Sequence, residues 1–300
     1  MSNAQWKDNS TTAVLYPTEV KTTVLNIDST FRDNPQATSS TDFLIRLPRT
    51  YKNVITARLS SIEIPNTWYA FDERHGETSM LVNGKYVSIA SGNYNPATLA
   101  TMLETAINNV VVQPNLTVDF GLIPGKIKID NSGVPFSMEF GSADTCQDSS
   151  GTVVRTSRNP YNNGLGYLLG FTGMLYRGGS SYTAEYVVNT LRDNYIYLQL
   201  PDLEDSLESH SYNGTIIKAF AKIIVNVDKN ALIYDNGANM LTKQTQFAQP
   251  INISTFRVRL VNSYGKSIDL MSDWSFTLEL QEVVSSKVYE AYRNNLIADC

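Results

Sequence analysis

The chain has 300 residues, 42% of them hydrophobic and 18% charged, with a net charge of −5 and a pI near 5.1. This apolar content can form a substantial core, which excludes wholesale disorder, and the acidic balance argues against direct nucleic-acid binding, which needs concentrated Lys and Arg. No apolar run reaches the ~20 residues that span a bilayer. The N-terminal residues lack the apolar core of a secretory signal, which predicts synthesis in the cytosol. Cys146 and Cys300 fit a reducing compartment, with a disulfide between them as the less favoured alternative.

Residues 1–21 show no sustained hydrophobic period, which predicts a flexible N-terminal arm. From residue 22 to residue 282 the sequence predicts a β-core, because apolar residues repeatedly alternate with polar ones. Separate strands are predicted at 42–48 and 54–65. In the second of these the alternation changes phase, which indicates a β-bulge near Ser60 and Ser61.

One internal helix is predicted from its boundaries and its apolar stripe. Asn95 and Pro96 supply an N-cap and a first-turn proline, and the helix is expected to end near Asn108 or Asn109. The apolar positions at helical spacing are Leu99, Met102, Leu103, Ala106 and Ile107.

Further strands are predicted after this helix. Alternation on both sides of the turn 130–133 predicts a β-hairpin. The polar segment 141–163 is expected to form a long loop. The segments 195–200 and 216–227 are predicted to be strands, the second of them long and unbroken. The apolar positions of the hairpin are Ile127, Ile129, Phe136, Met138 and Phe140.

The C-terminal third gives the clearest strand pattern. Two alternating segments lie on either side of the turn 262–265, and they are predicted to pair antiparallel with their apolar sides toward the core. A C-terminal helix is predicted within 283–300. The core-facing positions are Phe256, Val258 and Leu260 in the first segment and Trp274, Phe276, Leu278 and Leu280 in the second.

Many antiparallel strands with few helices predict a mainly β protein. The expected fold is an antiparallel β-sandwich or jelly-roll-like core, with one internal helix and a C-terminal helix. The sequence leaves open whether the core 22–282 is one sandwich or two packed sandwiches.

The sequence offers little catalytic chemistry. Its two histidines, His75 and His210, would have to serve any His-dependent nucleophilic mechanism, and both lie in polar stretches typical of solvated loops. The acidic segment 202–210 has enough carboxylates for a Ca²⁺ or Mg²⁺ site, but it matches no EF-hand spacing and a solvated loop is the favoured interpretation. The glycine-rich segment 164–170 has the wrong spacing for a dinucleotide-binding loop, and it is expected to form tight turns beside a buried leucine pair. We therefore expect no enzymatic activity, no metal and no cofactor.

Several segments form an ordered set over roughly residues 22–282. They are 26–33 (NIDSTFRD), 41–48 (TDFLIRLP), 59–69 (LSSIEIPNTWY), 91–96 (SGNYNP), 165–171 (LGYLLGF), and 268–270 (IDL) with 273–279 (DWSFTLE). In order and content the set resembles the minor capsid proteins of nucleocytoplasmic large DNA viruses. No single motif carries the resemblance.

The resemblance implies a virion protein that is assembled in the host cytoplasm. Its function would be non-enzymatic: it would stabilise or connect the capsomers beneath or between which it lies. The implied partners are the major capsid protein and other minor capsid proteins, with no direct nucleic-acid contact. A position close to the inner viral membrane, without spanning it, and a homo-oligomer are both compatible with this role. The alternative is a vertex, penton or fibre-type β-module that binds a partner or a host carbohydrate.

The two termini are the predicted interaction sites. Apolar residues scattered in the N-terminal arm could become ordered on a partner, although plain disorder is the alternative. The apolar stripe of the C-terminal helix, completed by Ala291, must cover either a neighbour's groove or this chain's own core. The predicted contact residues are Trp6, Leu15, Tyr16, Val284, Val288 and Tyr292.

Overall fold

The computed structural model describes residues 20–284, except for 112–115, 121–123, 143, 155–162, 204–206, 211–214 and 237–243. Residues 285–300 of the predicted C-terminal helical segment lie outside this range, as does all but the end of the predicted arm. The first strand begins at Val20, two residues inside the segment predicted as arm. The last strand ends at Val283, the first residue of the predicted helical segment.

The described chain forms sixteen strands and two helices. The strands are Val20–Asp28 (β1), Asp42–Pro65 (β2), Ser79–Val82 (β3), Lys85–Ser88 (β4), Thr117–Asp119 (β5), Lys128–Asp130 (β6), Phe136–Glu139 (β7), Leu175–Gly179 (β8), Ser181–Thr183 (β9), Tyr195–Gln199 (β10), Leu207–His210 (β11), Ile216–Ala219 (β12), Ala221–Ile224 (β13), Leu232–Asp235 (β14), Gln244–Val261 (β15) and Ser275–Val283 (β16). The helices are Pro96–Val110 (α1) and Leu165–Leu169 (α2), and single 3₁₀ turns lie at Ser29–Phe31, Glu73–His75 and Pro201–Leu203. The strand pairs are antiparallel, which confirms the predicted mainly β, sandwich-like fold.

The chain divides into two compact units. Unit 1 contains the described residues up to Asn66 and those from Tyr195 onward, whereas unit 2 is the continuous segment Thr67–Asn194. Unit 2 is therefore an insertion, in sequence, between β2 and β10 of unit 1.

Unit 1 is built on a seven-stranded sheet with β2 near its middle. The strand order is β1-β16-β2-β15-β10-β13, with β14 also pairing with β2. Thr277 lies opposite Ser61 and Leu278 lies opposite Leu59, so that Ser60 is the extra residue and the predicted bulge is confirmed. The two strands predicted at 42–48 and 54–65 are one strand of 24 residues.

The predicted pairing of the two C-terminal strands is wrong. Both β15 and β16 pair antiparallel with β2, one on each side of it, and they therefore run parallel to each other without pairing. Alternation fixes which face of a strand is buried, but it does not select the neighbouring strand. The face prediction itself is confirmed, because Phe256, Val258 and Leu260 are buried, as are the four apolar residues from Trp274 to Leu280.

The predicted long strand at 216–227 is broken at Phe220. β12 pairs with β11, whereas β13 pairs with β10. The Phe220 side chain is fully buried, and its backbone N–H donates to Leu198 O at 2.8 Å. The chain therefore changes sheets at this residue while its alternation continues across the break.

Unit 2 contains the four-stranded sheet β4-β3-β7-β8, the three-stranded sheet β5-β6-β9, and both helices. The hairpin predicted at 127–140 is wrong, because β6 and β7 belong to different sheets. Helix α1 is confirmed, with Asn95 Oδ1 accepting from Thr98 N at 2.9 Å. Its buried side chains are Leu99, Ala100, Leu103 and Ile107, whereas Met102 of the predicted stripe is exposed.

Candidate functional site

The segment around His75, predicted to be a solvated loop, is instead largely buried. Asp72 caps the 3₁₀ turn at Glu73–His75, with its carboxylate accepting from Arg74 N. The side chains of Asp72 and Glu77 are almost fully buried. His75 Nδ1 lies 3.3 Å from Asp72 Oδ2. The prediction was wrong because polar composition alone does not show whether a charged residue has a buried partner.

The buried partner of Glu77 is Arg192, which lies 115 residues later in the chain. The Arg192 guanidinium, itself buried, donates to Glu77 Oε1 at 3.1 Å and lies 3.7 Å from Asp193 Oδ2. Trp68 Nε1 donates to the same Asp193 oxygen at 3.2 Å. We call Asp72, His75, Glu77, Arg192 and Asp193 the ionic cluster.

The charges of the ionic cluster stabilise one another. Burial disfavours the ionised form of Asp72, but the adjacent imidazole of His75 and the hydrogen bonds from Arg74 outweigh it and keep the pKa of Asp72 well below its ordinary value. Burial also disfavours the charged form of Arg192, but the negative charges of Glu77, Asp193 and Asp72 raise its pKa above the ordinary value. Because removing one partner of a buried ion pair leaves an uncompensated charge, each member depends strongly on the others.

The ionic cluster joins the two ends of unit 2 to each other. Trp68 and Asp72 follow the point where the chain starts this unit, and Arg192 and Asp193 precede the point where it leaves. No local pattern in the sequence marks Arg192 or Asp193, and their importance depends on contacts more than 100 residues away. The arrangement is suited to fixing the first and last segments of unit 2 to each other.

The acidic segment 202–210 does not assemble into a metal site within the part of the chain that the structure describes. Asp202 Oδ2 accepts from Arg257 N at 2.7 Å, and Glu208 pairs with Lys218 at 3.5 Å. Glu204 and Asp205 lie outside the described residues. Across the described ranges, no group of three or more His, Cys, Asp and Glu side chains could hold a metal ion.

Two of the segments that carry the family resemblance meet in unit 1. Asp273 accepts from Ser29 Oγ at 2.8 Å and from Arg32 Nη1 at 2.6 Å. Trp274 N donates to Ser29 Oγ at 2.9 Å, and Trp274 Nε1 donates to Ser40 O at 2.6 Å. We call Ser29, Arg32, Asp273 and Trp274 the loop anchor. The loop after β1 is therefore fixed to the start of β16.

A third resemblance segment ends in a buried asparagine. The Asn66 side chain is fully buried, and Nδ2 donates to Val227 O at 3.1 Å and to Asp228 O at 3.2 Å. Its backbone N–H donates to Ala231 O at 2.8 Å. Asn66 therefore ties the end of β2 to the turn that precedes β14.

The glycine-rich segment 164–170 is predicted to form tight turns beside a buried leucine pair. In the structure it forms helix α2 and the glycine turn that ends this helix. Leu168 and Leu169 are buried, and Gly170 ends the helix with a φ of 89°. A Cβ at Gly170 would lie 2.3 Å from Tyr186 O, and one at Gly166 would lie 2.6 Å from the Phe140 ring. Glycine is therefore required at both positions by close packing.

A cleft of about 540 Å³ lies beside the end of α2, within unit 2. Its lining residues are Asn163, Tyr167, Gly170, Phe171, Thr172, Tyr186, Val187 and Asn189. Tyr186 is 68% exposed and Val187 is 60% exposed.

The polar groups of the cleft mainly support its own walls. Asn163 Nδ2 donates to Phe171 O and to Gly173 O, both at 3.0 Å. Asn189 Oδ1 accepts from the backbone N–H groups of Leu191 and Arg192. The cleft therefore presents chiefly tyrosine rings and an aliphatic side chain to a ligand.

Of the six predicted interaction residues, the structure describes Val284. Trp6, Leu15, Tyr16, Val288 and Tyr292 lie outside the described residues. Val284 follows directly after β16, and its side chain is 65% exposed.

Neither a protein-family model nor a curated protein matches this sequence. In the part of the chain that the structure describes, no helix is long and apolar enough to cross a bilayer.

Proposed function

We propose that this chain is a non-enzymatic minor capsid protein of a large icosahedral DNA virus, which stabilises or connects the capsomers of the major capsid protein. The observation that carries the proposal is that residues of the resemblance segments make structural contacts within the chain. Side-chain hydrogen bonds of the loop anchor and of Asn66 Nδ2 fix loops to strands within the chain. Residues used in this way build a rigid scaffold, and a scaffold is what a capsid connector needs.

The proposal is tested on purified particles of the virus that encodes the chain. Mass spectrometry of successively stripped particle layers should find the chain in the capsid layer, at lower copy number than the major capsid protein. Chemical cross-linking of intact particles should join its lysines to the major capsid protein or to other minor capsid proteins. Absence of the chain from purified particles would contradict the proposal.

The termini are tested in the same particles by paired deletion. One variant lacks residues 1–20 and the other lacks residues 284–300. If the termini are assembly contacts, each variant folds but enters particles at reduced occupancy. If both variants enter particles at wild-type occupancy, the termini are not assembly contacts. If the C-terminal deletion unfolds the chain, the deleted segment belongs to the chain's own core.

The cleft in unit 2 favours a second candidate function, that of a vertex or fibre-type module which binds a partner or a host carbohydrate. Exposed tyrosine rings provide flat apolar surfaces against which a sugar or a side chain can stack. Binding to a glycan array that is lost in Tyr186→Ala, together with protease accessibility of the chain on intact particles, would favour this function over the capsomer-connecting role.

A further inference from the structure

Strand β1 is the outermost strand at one end of the large sheet of unit 1. All nine of its residues pair with β16 in one unbroken register, from Val20 opposite Val283 to Asp28 opposite Ser275. Among the described residues, β1 has no strand on its other side. The sheet therefore ends in a long, regular strand without a bulge.

The register shows which backbone groups of β1 point away from the sheet. Ser29 N donates to Trp274 O at 2.9 Å, which continues the same register by one residue. In an antiparallel ladder, hydrogen-bonded pairs alternate with non-bonded pairs. The odd-numbered residues of β1 therefore bond to β16, and Thr22, Val24 and Asn26 direct their N–H and C=O groups outward.

This edge has few of the features that normally block strand addition. Edge strands are usually protected by proline, bulges, short length or central charges. β1 contains no proline, and its two charged residues, Lys21 and Asp28, lie near its ends. The Asp28 carboxylate is already engaged in capping the turn that follows. At the centre, the Val24 side chain is 63% exposed.

We propose that β1 pairs antiparallel with β1 of a second copy of this chain, across a two-fold axis at Val24. Two edge strands can hydrogen-bond only where the outward-directed residues of both strands lie opposite each other. This register meets that condition, because it places Val24 opposite Val24 of the second copy and Thr22 opposite Asn26. It uses all nine residues of the strand, whereas any shift of the axis shortens the ladder. It also places no like charges opposite each other, because Lys21 faces Ile27 and Asp28 faces Val20.

The second copy is favoured as the occupant because the strand is complementary to itself. A two-fold interface needs the same surface to match its own copy, and β1 offers β-branched residues at its centre and hydrogen-bonding side chains in the flanking outward positions. The pairing goes beyond the proposed capsid role and does not depend on it.

The test uses the full chain in sedimentation equilibrium over a wide concentration range. The wild type is expected to be in monomer–dimer equilibrium. Val24→Lys and Val24→Glu each place like charges across the axis, and each should raise the dimer dissociation constant by about fivefold or more. An equimolar mixture of the two variants should restore dimerisation, because Lys and Glu then face each other.

Leu232→Lys is the matched control, since Leu232 is an exposed aliphatic residue on β14 of the same unit. It changes the net charge by the same amount as Val24→Lys and should leave the dimer dissociation constant unchanged. Circular dichroism checks that each variant keeps its fold. The proposal is overturned if the wild type stays monomeric at every concentration, if Val24→Lys dimerises like the wild type, or if the mixture of the two charged variants fails to associate.

Discussion

Trp274 combines several interactions in one side chain of the loop anchor. Its ring stacks on Phe276 at 5.2 Å and contacts Phe43 edge to face at 6.4 Å, while its indole N–H donates to Ser40 O. We expect Trp274→Ala to lower the free energy of unfolding by about 3–5 kcal/mol, because it leaves a cavity and an unsatisfied carbonyl. Urea denaturation measures the loss. Phe31→Ala is the control, since that ring is exposed, and it should change stability by less than ~0.5 kcal/mol. Equal effects of the two substitutions would contradict the assignment.

Asp72 should make stability depend on pH. Its pKa is lowered in the folded state, so its contribution is complete above its unfolded pKa of about 3.9 and is lost as the pH falls through the lower folded value. The wild type should therefore lose stability progressively below about pH 4, and Asp72→Asn should show a shallower slope over the same range. Thermal melts between pH 6 and pH 2 measure the two slopes. Asp144→Asn removes an exposed carboxylate and serves as the control. A slope in Asp72→Asn equal to that of the wild type would count against the ionic cluster as the source.

Helix α2 should tolerate no side chain at its C-terminal glycine. Gly170→Ala combines a positive φ with a Cβ only 2.3 Å from Tyr186 O, so the backbone itself must move. Gly84 has a similar φ of +74° but no atom within 4 Å of its added Cβ. Gly84→Ala should cost about 1 kcal/mol for conformation alone, whereas Gly170→Ala should cost at least ~2 kcal/mol more because of the clash. Chemical denaturation of both variants gives the difference, and similar values would show that the contact is readily relieved.

At the level of elements, the sequence predicted buried faces better than strand partners. The alternation in β15 and β16 identified the core side correctly, and the cap at Asn95 identified the start of α1, because both signals depend on residues a few positions apart. The hairpin at 127–140 and the β15–β16 pair were wrong because neighbour choice depends on the whole sheet. The ionic cluster could not be predicted for the same reason, since Glu77 and Arg192 are brought together only by the fold of unit 2.

Unit 2 should fold without the rest of the chain. Its first and last segments are joined by the Trp68–Asp193 hydrogen bond and by the ionic cluster, and it has its own buried core. The fragment 67–194 is expected to unfold in one cooperative transition in differential scanning calorimetry. Asp193→Ala in the same fragment should lower the melting temperature, because it removes the acceptor of Trp68 and one carboxylate that faces Arg192. A fragment with no cooperative transition would show that unit 2 requires unit 1.

The insertion of unit 2 after β2 also sets the order in which the protein can fold during translation. β2 is complete at Pro65, whereas its partners β14, β15 and β16 begin only at Leu232, Gln244 and Ser275. The strand pairs described in unit 2 all lie within the residues synthesised in between. During synthesis the ribosome therefore carries a complete unit 2 while the apolar strand β2 is still unpaired. We expect the nascent chain to need chaperones most during that interval.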